Sequence, residues 1–479
     1  MRLKIFVVLL AMILIPIISS YALAASSWYV VNDNGTIKYA TDTATGYSSD
    51  KWSGVAADTG VTSLNAFFSQ KVESGDVVYL KADEFTIAGA VIVTKDVAIY
   101  GGFDEGDTSI DSRTGKTTIK GGIDFNGSVI FITGYKASEG LSVLLDRLII
   151  TGGNSDSGVG IFISDAKVTA TNCSITDNKA GIDGGGIGTY NSTLIASGCN
   201  ITMNEANSEG GGIIAYDSTL TFNNCNITDN TTDVGSGGGI IITDTTLTIN
   251  NCTIADNIAN YGGGIYARES SVLTVSNCTI ADNSTNNYGG GIYAKDSTIA
   301  ITNCTIANNN LIDTSKTGAE IYHYDSSIVM TNTFLWNSDT SKAIAVNGDN
   351  AVFTASHCAF PAGLSVTGIT FDDDTTKNIA ITSWNSQTSM DIEVNGVTHT
   401  VYRIEDNPEL ITLEGAGILS EDNDYTKRDQ LGHARANIPC IGAVEKVNNP
   451  ELPDSLTIDA IEGKSIDVAA ITAAQGIDT

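Results

Sequence analysis

From Gly158 to Ile321 the chain alternates apolar and polar positions in short runs, and Asn, Asp and Gly break those runs at regular intervals. One unit reads Leu247-Thr248-Ile249, then Asn250-Asn251, then Cys252-Thr253-Ile254, then Ala255-Asp256-Asn257, a loop, and Gly262-Gly263-Gly264-Ile265. A period of two marks half-buried strands, and Asn, Asp and Gly supply the turns between them. Each unit therefore predicts three short strands. No segment within it has helical spacing, which argues against a βαβ or leucine-rich solenoid. Two markers keep phase along the chain. Gly-Gly-Gly-Ile recurs at Gly184–Ile187, Gly210–Ile213, Gly237–Ile240, Gly262–Ile265 and Gly289–Ile292, with degenerate copies at Gly158–Ile161 and Gly318–Ile321. Cysteine recurs at positions 173, 199, 225, 252, 278 and 304. The shared step of about 26 residues is that of a stacked-repeat architecture.

Three strands per unit, stacked unit on unit, predict an all-β chain folded as a right-handed parallel β-helix. Equivalent residues then lie about 4.8 Å apart in ladders. A core that no single coil can bury becomes continuous along the stack. Ile187, Ile213, Ile240, Ile265, Ile292 and Ile321 are expected in one inward column. Ahead of the repeats, Val61 to Val72 places Leu64, Phe67, Phe68 and Val72 on one helical face, suited to cap the open first coil and protect its edge. The expected organisation is a signal peptide at 1–24, an N-terminal strand and capping helix at 25–76, coils at 77–365, final coils and a C-terminal cap at 366–445, and a linker with an acidic tail at 446–479.

Composition agrees with many short strands: 49 glycines against 6 prolines favour tight turns over disorder, and only 17% of residues are charged. The formal net charge of −30 repels phosphate backbones, so nucleic acid is not an expected partner. Arg2 and Lys4, the apolar run Ile5 to Ile18 and the small-x-small site Ala22-Leu23-Ala24 read as a secretory signal cleaved after Ala24. No later apolar stretch is long enough to span a bilayer. A secreted, extracellular or cell-surface protein is expected, with no transmembrane helix in the mature chain.

In an exported chain the cysteines invite a disulfide reading. Six of them share one repeat position, though, and side chains stacked at the sheet spacing are too far apart for the roughly 3.8 Å between Cβ atoms that a disulfide requires. An inward column of free thiols is expected instead. Asn172, Asn224, Asn251, Asn277, Asn303 and Asn332 form a second ladder suited to left-handed bends and to amide bonding from coil to coil. His323 is predicted to point inward as a satisfied core histidine.

On the outward side of the Gly-Gly-Gly-Ile strand, one column reads Gly188, Ile214, Ile241, Tyr266, Tyr293, Tyr322. The next outward column holds Arg268, Lys295 and Tyr324, and the following turn carries Asn191, Asp217, Asp244, Glu269, Asp296 and Asp325. Asp and Asn at such turns bond their own backbone, which is their plain structural role. Tyr266, Tyr293, Tyr322 and Tyr324 are the candidate binding face, as a solvent-facing aromatic strip. Arg268, Glu269, Lys295 and Asp296 are the best enzymatic constellation: clustered carboxylates could hold calcium and a cation could serve as base. Asp372, Asp373 and Asp374 are a weak candidate metal loop. No catalytic set and no cofactor is expected; calcium has no specific motif.

Three segments resemble known families. Ile99-Tyr100-Gly101-Gly102-Phe103 with Arg113 and Thr118-Ile119-Lys120-Gly121-Gly122 resembles the first coils of pectin-lyase-like β-helix proteins of bacterial surfaces. The Gly-Gly-Gly-Ile and Asn-Cys-x-Ile-x-x-Asn units resemble chlamydial polymorphic outer-membrane protein repeats, which usually read Gly-Gly-Ala-Ile and Phe-x-x-Asn. Asp429-Gln430-Leu431-Gly432 with Arg435 and Ile441-Gly442-Ala443-Val444-Glu445 resembles the end of a choice-of-anchor Q domain. The resemblance implies a surface, adhesin-like β-helix binding a partner or a carbohydrate without catalysis. Polysaccharide lyases share the fold, which leaves a lyase or other carbohydrate-active enzyme as one alternative and a passive spacer as another.

Overall fold

The structure is a computed structural model. It describes residues 26–371 apart from short stretches at 43–46, 48–51, 53–54, 58–60, 105–106, 135–139, 357, 362–363 and 365–368. Beyond these it describes strands Ile379–Ile381, Ser389–Val394, Val397–Tyr402 and Leu456–Ile458. The expected signal peptide, the Asp372–Asp374 loop and the choice-of-anchor-like segment lie outside the described residues.

The repeat folds as expected, coil on coil, in register. In the coil after Leu220, strand Thr246–Asn250 belongs to sheet A, Thr253–Ala255 to sheet B, Ile258–Tyr261 to sheet D and Ile265–Arg268 to sheet C. Each strand pairs in parallel with its counterpart one repeat on: Leu247 lies beside Leu273, Ile254 beside Ile280 and Ile265 beside Ile292. Sheets A, B and C carry the three predicted ladders. Sheet D is a fourth, seven-stranded ladder from Asn154–Ser157 to Asn310–Leu311, formed by residues that read as loop in the sequence. Its strands are as short as two residues and lack apolar alternation, so they leave no period to read.

The six isoleucines of the Gly-Gly-Gly-Ile marker are inward and buried. So are the six column cysteines, none of them in a disulfide, and Cys358 extends that column. Thr333 takes the rung between Cys304 and Cys358, accepting the Cys304 N–H at 3.3 Å through its hydroxyl. Burial pushes the thiols of Cys173, Cys225, Cys252 and Cys304 upward in pKa and that of Cys358 to about 12, so they are inert thiols. The capping helix spans Leu64–Gln70 and starts where the Ser63 hydroxyl accepts the Ala66 N–H. It buries Leu64, Phe67 and Phe68 on the open end of the stack, beside strand Val91–Val93.

The asparagine expectation is half right. Asn172, Asn224, Asn251, Asn277, Asn303 and Asn332 all take positive φ, between 49° and 56°. The coil-to-coil amide ladder, however, is a different column. Asn178, Asn204, Asn230, Asn257, Asn283 and Asn309 are buried, and each Nδ2 donates to the next Oδ1 at 2.9–3.0 Å through Asn309. Each Oδ1 also accepts the N–H of the asparagine before it, as Asn283 does from Asn257 at 3.1 Å. The third glycine of each marker makes the room: a Cβ on Gly264 would sit 2.6 Å from the Gly291 carbonyl and 3.1 Å from Asn283 Nδ2.

The ladder ends on Glu320, which stands where the other repeats have that third glycine. Its carboxyl group replaces the next amide: Oε1 accepts the Asn309 N–H at 3.1 Å and Asn337 Nδ2 at 2.8 Å, and Oε2 accepts Asn309 Nδ2.

Arg113 has a structural explanation. Its guanidinium is buried, ion-paired to Asp146 at 2.6 Å and bonded to the Gly101 carbonyl at 2.7 Å, over the rings of Phe103 and Tyr100 at 4.8 and 5.4 Å. It fastens the 104–116 excursion to the first coils.

Candidate functional site

The candidate residues sit on the outer side of sheet C and on the corner where sheet D turns into it. At that corner the first glycine of each marker takes a left-handed backbone, with Gly262 at φ +62° and Gly289 at φ +68°. A Cβ on Gly262 would lie 2.7 Å from Tyr266 Cβ, so glycine lets the ring of the next strand fold against the turn. Outward rings of the two sheets meet across this turn. Tyr261 stacks on Tyr293 at 5.9 Å and 27°, and Tyr288 packs on Tyr322 at 4.4 Å. Side chains on the outer faces of two strands touch only if the corner is concave toward solvent.

Within sheet C, Tyr266 and Tyr293 stack at 4.6 Å and 21°, and Tyr322 stands at 62° to Tyr293, 5.0 Å away. The column is continuous, but it is not the open strip expected. Ile214 and Ile241 are buried, and Tyr266 is 8% exposed, because these three pack on one another with Tyr216 and Tyr293 against them. Exposure opens toward the C-terminal coils: Tyr293 and Tyr322 are half-buried and Tyr324 is 40% exposed. The stacked pair covers its facing ring surfaces.

Of the enzymatic constellation, Arg268 and Glu269 come within 3.7 Å of each other, but the guanidinium is engaged elsewhere. Arg268 turns toward Glu209, donating to Oε1 at 2.8 Å and Oε2 at 2.9 Å, with its Nε on Thr243 Oγ1 at 2.9 Å. Its guanidinium also lies 5.8 Å from the Tyr266 ring centroid. Burial opposes the charge, yet the Glu209 carboxylate holds the guanidinium above its ordinary pKa. A cation fixed in a two-point carboxylate pair is a poor proton acceptor. Glu209 also accepts the Tyr216 hydroxyl at 3.2 Å; burial first, and then this carboxylate, push Tyr216 up to about 12.

Glu269 and Asp296 are left-handed turn residues at φ 54° and 51°, as are Asn191, Asp217, Asp244 and Asp325. Their turn-making role is therefore visible. Lys295 is exposed. Among the described residues, no group of three His, Cys, Asp or Glu is placed to hold a metal ion.

His323 is buried as expected, but it is not satisfied: neither ring nitrogen has a hydrogen-bond partner. Burial lowers its pKa to about 4 and keeps the ring neutral.

Sequence reading missed Glu209, Tyr261 and Tyr288. They share the position just before the glycine triplet, a column running Asp183, Glu209, Ser236, Tyr261, Tyr288. That common offset from the marker was the available signal. It also missed Phe131 and Phe162, which stack at 5.1 Å and 16° at the N-terminal end of the same outward column.

The family described as "Right handed beta helix region" matches residues 116–258 and 238–379, together more than half of the chain. The chain belongs to the right-handed β-helix family. No curated protein matches the sequence of this β-helix. Among solved structures, pectate lyase Pel9A is similar at 13% identity, over 88% of this chain and 96% of that chain, with a TM-score of 0.44. A likeness that distant carries no argument about activity. Among the described residues, no helix of this β-helix protein is long and apolar enough to cross a membrane.

Proposed function

We propose that this β-helix is a secreted or cell-surface, adhesin-like protein that binds a partner on its tyrosine corner without chemistry. The observation that carries the reading is the row Tyr261, Tyr288, Tyr293 and Tyr322, whose rings meet at one concave corner, with the exposed Tyr324 further along the last strand. The partner favoured is a carbohydrate chain lying along the solenoid axis. A row of phenol hydroxyls and ring edges suits a polyhydroxylated ligand, and Lys295 and Lys316, the latter 5.5 Å from the Tyr288 ring centroid, suit an anionic one. Engagement of Arg268 with Glu209 occupies one of the two candidate bases, Arg268 and Lys295, which supports binding over elimination.

The test separates ligand contact from sheet packing. Tyr293→Ser with Tyr324→Ser removes two of the rings that reach solvent and weakens polysaccharide binding about fivefold or more, the loss expected from two aromatic contacts of about 0.5–1.5 kcal/mol each. Tyr266→Ser, at the covered end, lowers the melting temperature and leaves binding close to wild type. Unchanged binding in the double variant would defeat the proposal. No metal takes part in this reading, so binding persists after dialysis against a chelator.

A further inference from the structure

The outward positions of sheet A form a second organised surface. Across seven consecutive strands, from Thr193–Ser197 to Val352–Ser356, none of them carries a charge, in a chain whose net charge is −30. Threonine is the commonest residue there and stays in register over the middle coils, with Thr219 beside Thr246, Thr221 beside Thr248 and Thr248 beside Thr274, while Ile195, Ala300 and Val329 continue the central row with apolar side chains. These side chains are exposed or half-buried. The comparable outward residues of sheet B, Thr253 and Thr279, are buried, so sheet A is the threonine face presented to solvent.

Such a face has two repeats. Neighbouring strands are about 4.7–4.9 Å apart, and alternate residues along a parallel strand about 6.6 Å apart. Tetrahedral water with O···O distances of about 2.75 Å places second-neighbour oxygens about 4.5 Å apart and repeats along the perpendicular axis at about 7.3 Å. Threonine offers a hydroxyl to join that lattice and a methyl beside it, and its branched side chain has little rotamer freedom to lose. A charged side chain would hold its own hydration shell and break the match, and this face has none. Coil stacking also opposes the twist that would spoil registry over many strands.

We propose that sheet A of this β-helix binds the surface of ice, through the threonine rows centred on Thr221, Thr248 and Thr274. This is a separate face from the tyrosine corner, and its occupant is a crystalline, uncharged lattice of water.

The experiment grows ice slowly from a dilute solution of the mature protein, measures the protein partitioned into the solid, and follows ice recrystallisation by microscopy. Wild type is expected to enter the ice and suppress grain growth. Thr248→Lys, with Thr221→Lys as a second variant should the first fail to fold, is expected to fall to the level of an inert protein of similar size. Tyr293→Ser with Tyr324→Ser is expected to partition as wild type does, which keeps the two proposals distinguishable. Exclusion of the wild-type protein from ice overturns the proposal, and so does equal partition of a folded lysine variant. A concentration-dependent dimer in the wild type, abolished by Thr248→Lys, with exclusion from ice, would assign the face to a second copy of the chain instead.

Discussion

Glu320 and His323 lie within one strand's reach of each other and carry opposite pH signatures. Burial raises Glu320 from its ordinary 4.5 to about 8, so the folded state holds a proton that the unfolded chain releases. Its contribution is fully present below about pH 4.5 and is lost as pH rises through about 8. Burial lowers His323 from 6.5 to about 4, so the unfolded chain binds the proton first. Its contribution is present above about pH 6.5 and is lost as pH falls through about 4. Glu320→Gln is therefore expected to flatten the fall in melting temperature between about pH 5 and pH 8, and His323→Leu to flatten the fall between about pH 6.5 and pH 4. Melting curves across pH for the two variants check both signs; a shared direction would contradict the burial argument. His323→Leu also removes two unpartnered buried nitrogens, so at pH 7 it is expected to leave stability unchanged or raise it.

At the scale of elements, the buried asparagine ladder and the Arg113 clamp fix the coils to one another. Asn257 accepts from the N–H and the Nδ2 of Asn230 and donates to the Ile227 carbonyl and to Asn283. Asn257→Ala leaves buried donors and acceptors on both neighbouring rungs, and is expected to cost at least about 2 kcal/mol in chemical denaturation. Arg113→Met strands the Asp146 carboxylate and is expected to cost about 3–5 kcal/mol, most of it recovered by adding Asp146→Leu. If the double variant proved as unstable as the single one, packing of the guanidinium on Phe103 would be the dominant contribution.

These elements also show what the sequence made legible. Strands of sheets A, B and C carry a period of two and were readable from it, as were the inward isoleucine and cysteine columns. Sheet D has no such period and was not. The asparagines at 172 to 332 stood out because they adjoin the cysteine marker. The working ladder at 178 to 309 is just as regular, but only the need of a buried amide for partners distinguishes it, and that appears once the coils are stacked. The tyrosine column was legible as a column. Its covering was not, because burial of Ile241 and Tyr266 depends on residues one or more coils away, including Glu209, which pairs with Arg268 across 59 positions of sequence.

The described coils form a stack in which each coil supports its neighbours, which presents flat or concave faces along a fixed axis. The buried thiol column belongs to that stack. Titration under denaturing conditions is expected to find Cys173, Cys199, Cys225, Cys252, Cys278, Cys304 and Cys358 reduced, and oxidation of the six stacked cysteines would contradict the register. The central claim is that this β-helix binds without reacting. The most direct measurement incubates the purified mature protein with a panel of neutral and acidic polysaccharides, with calcium present, and scores each mixture for retained polysaccharide and for the ultraviolet absorbance of unsaturated products. Retention of at least one polysaccharide is expected, lost on replacing Tyr293 and Tyr324 by serine, with no absorbance gained. Unsaturated product that disappears on changing Arg268 or Lys295 would contradict it.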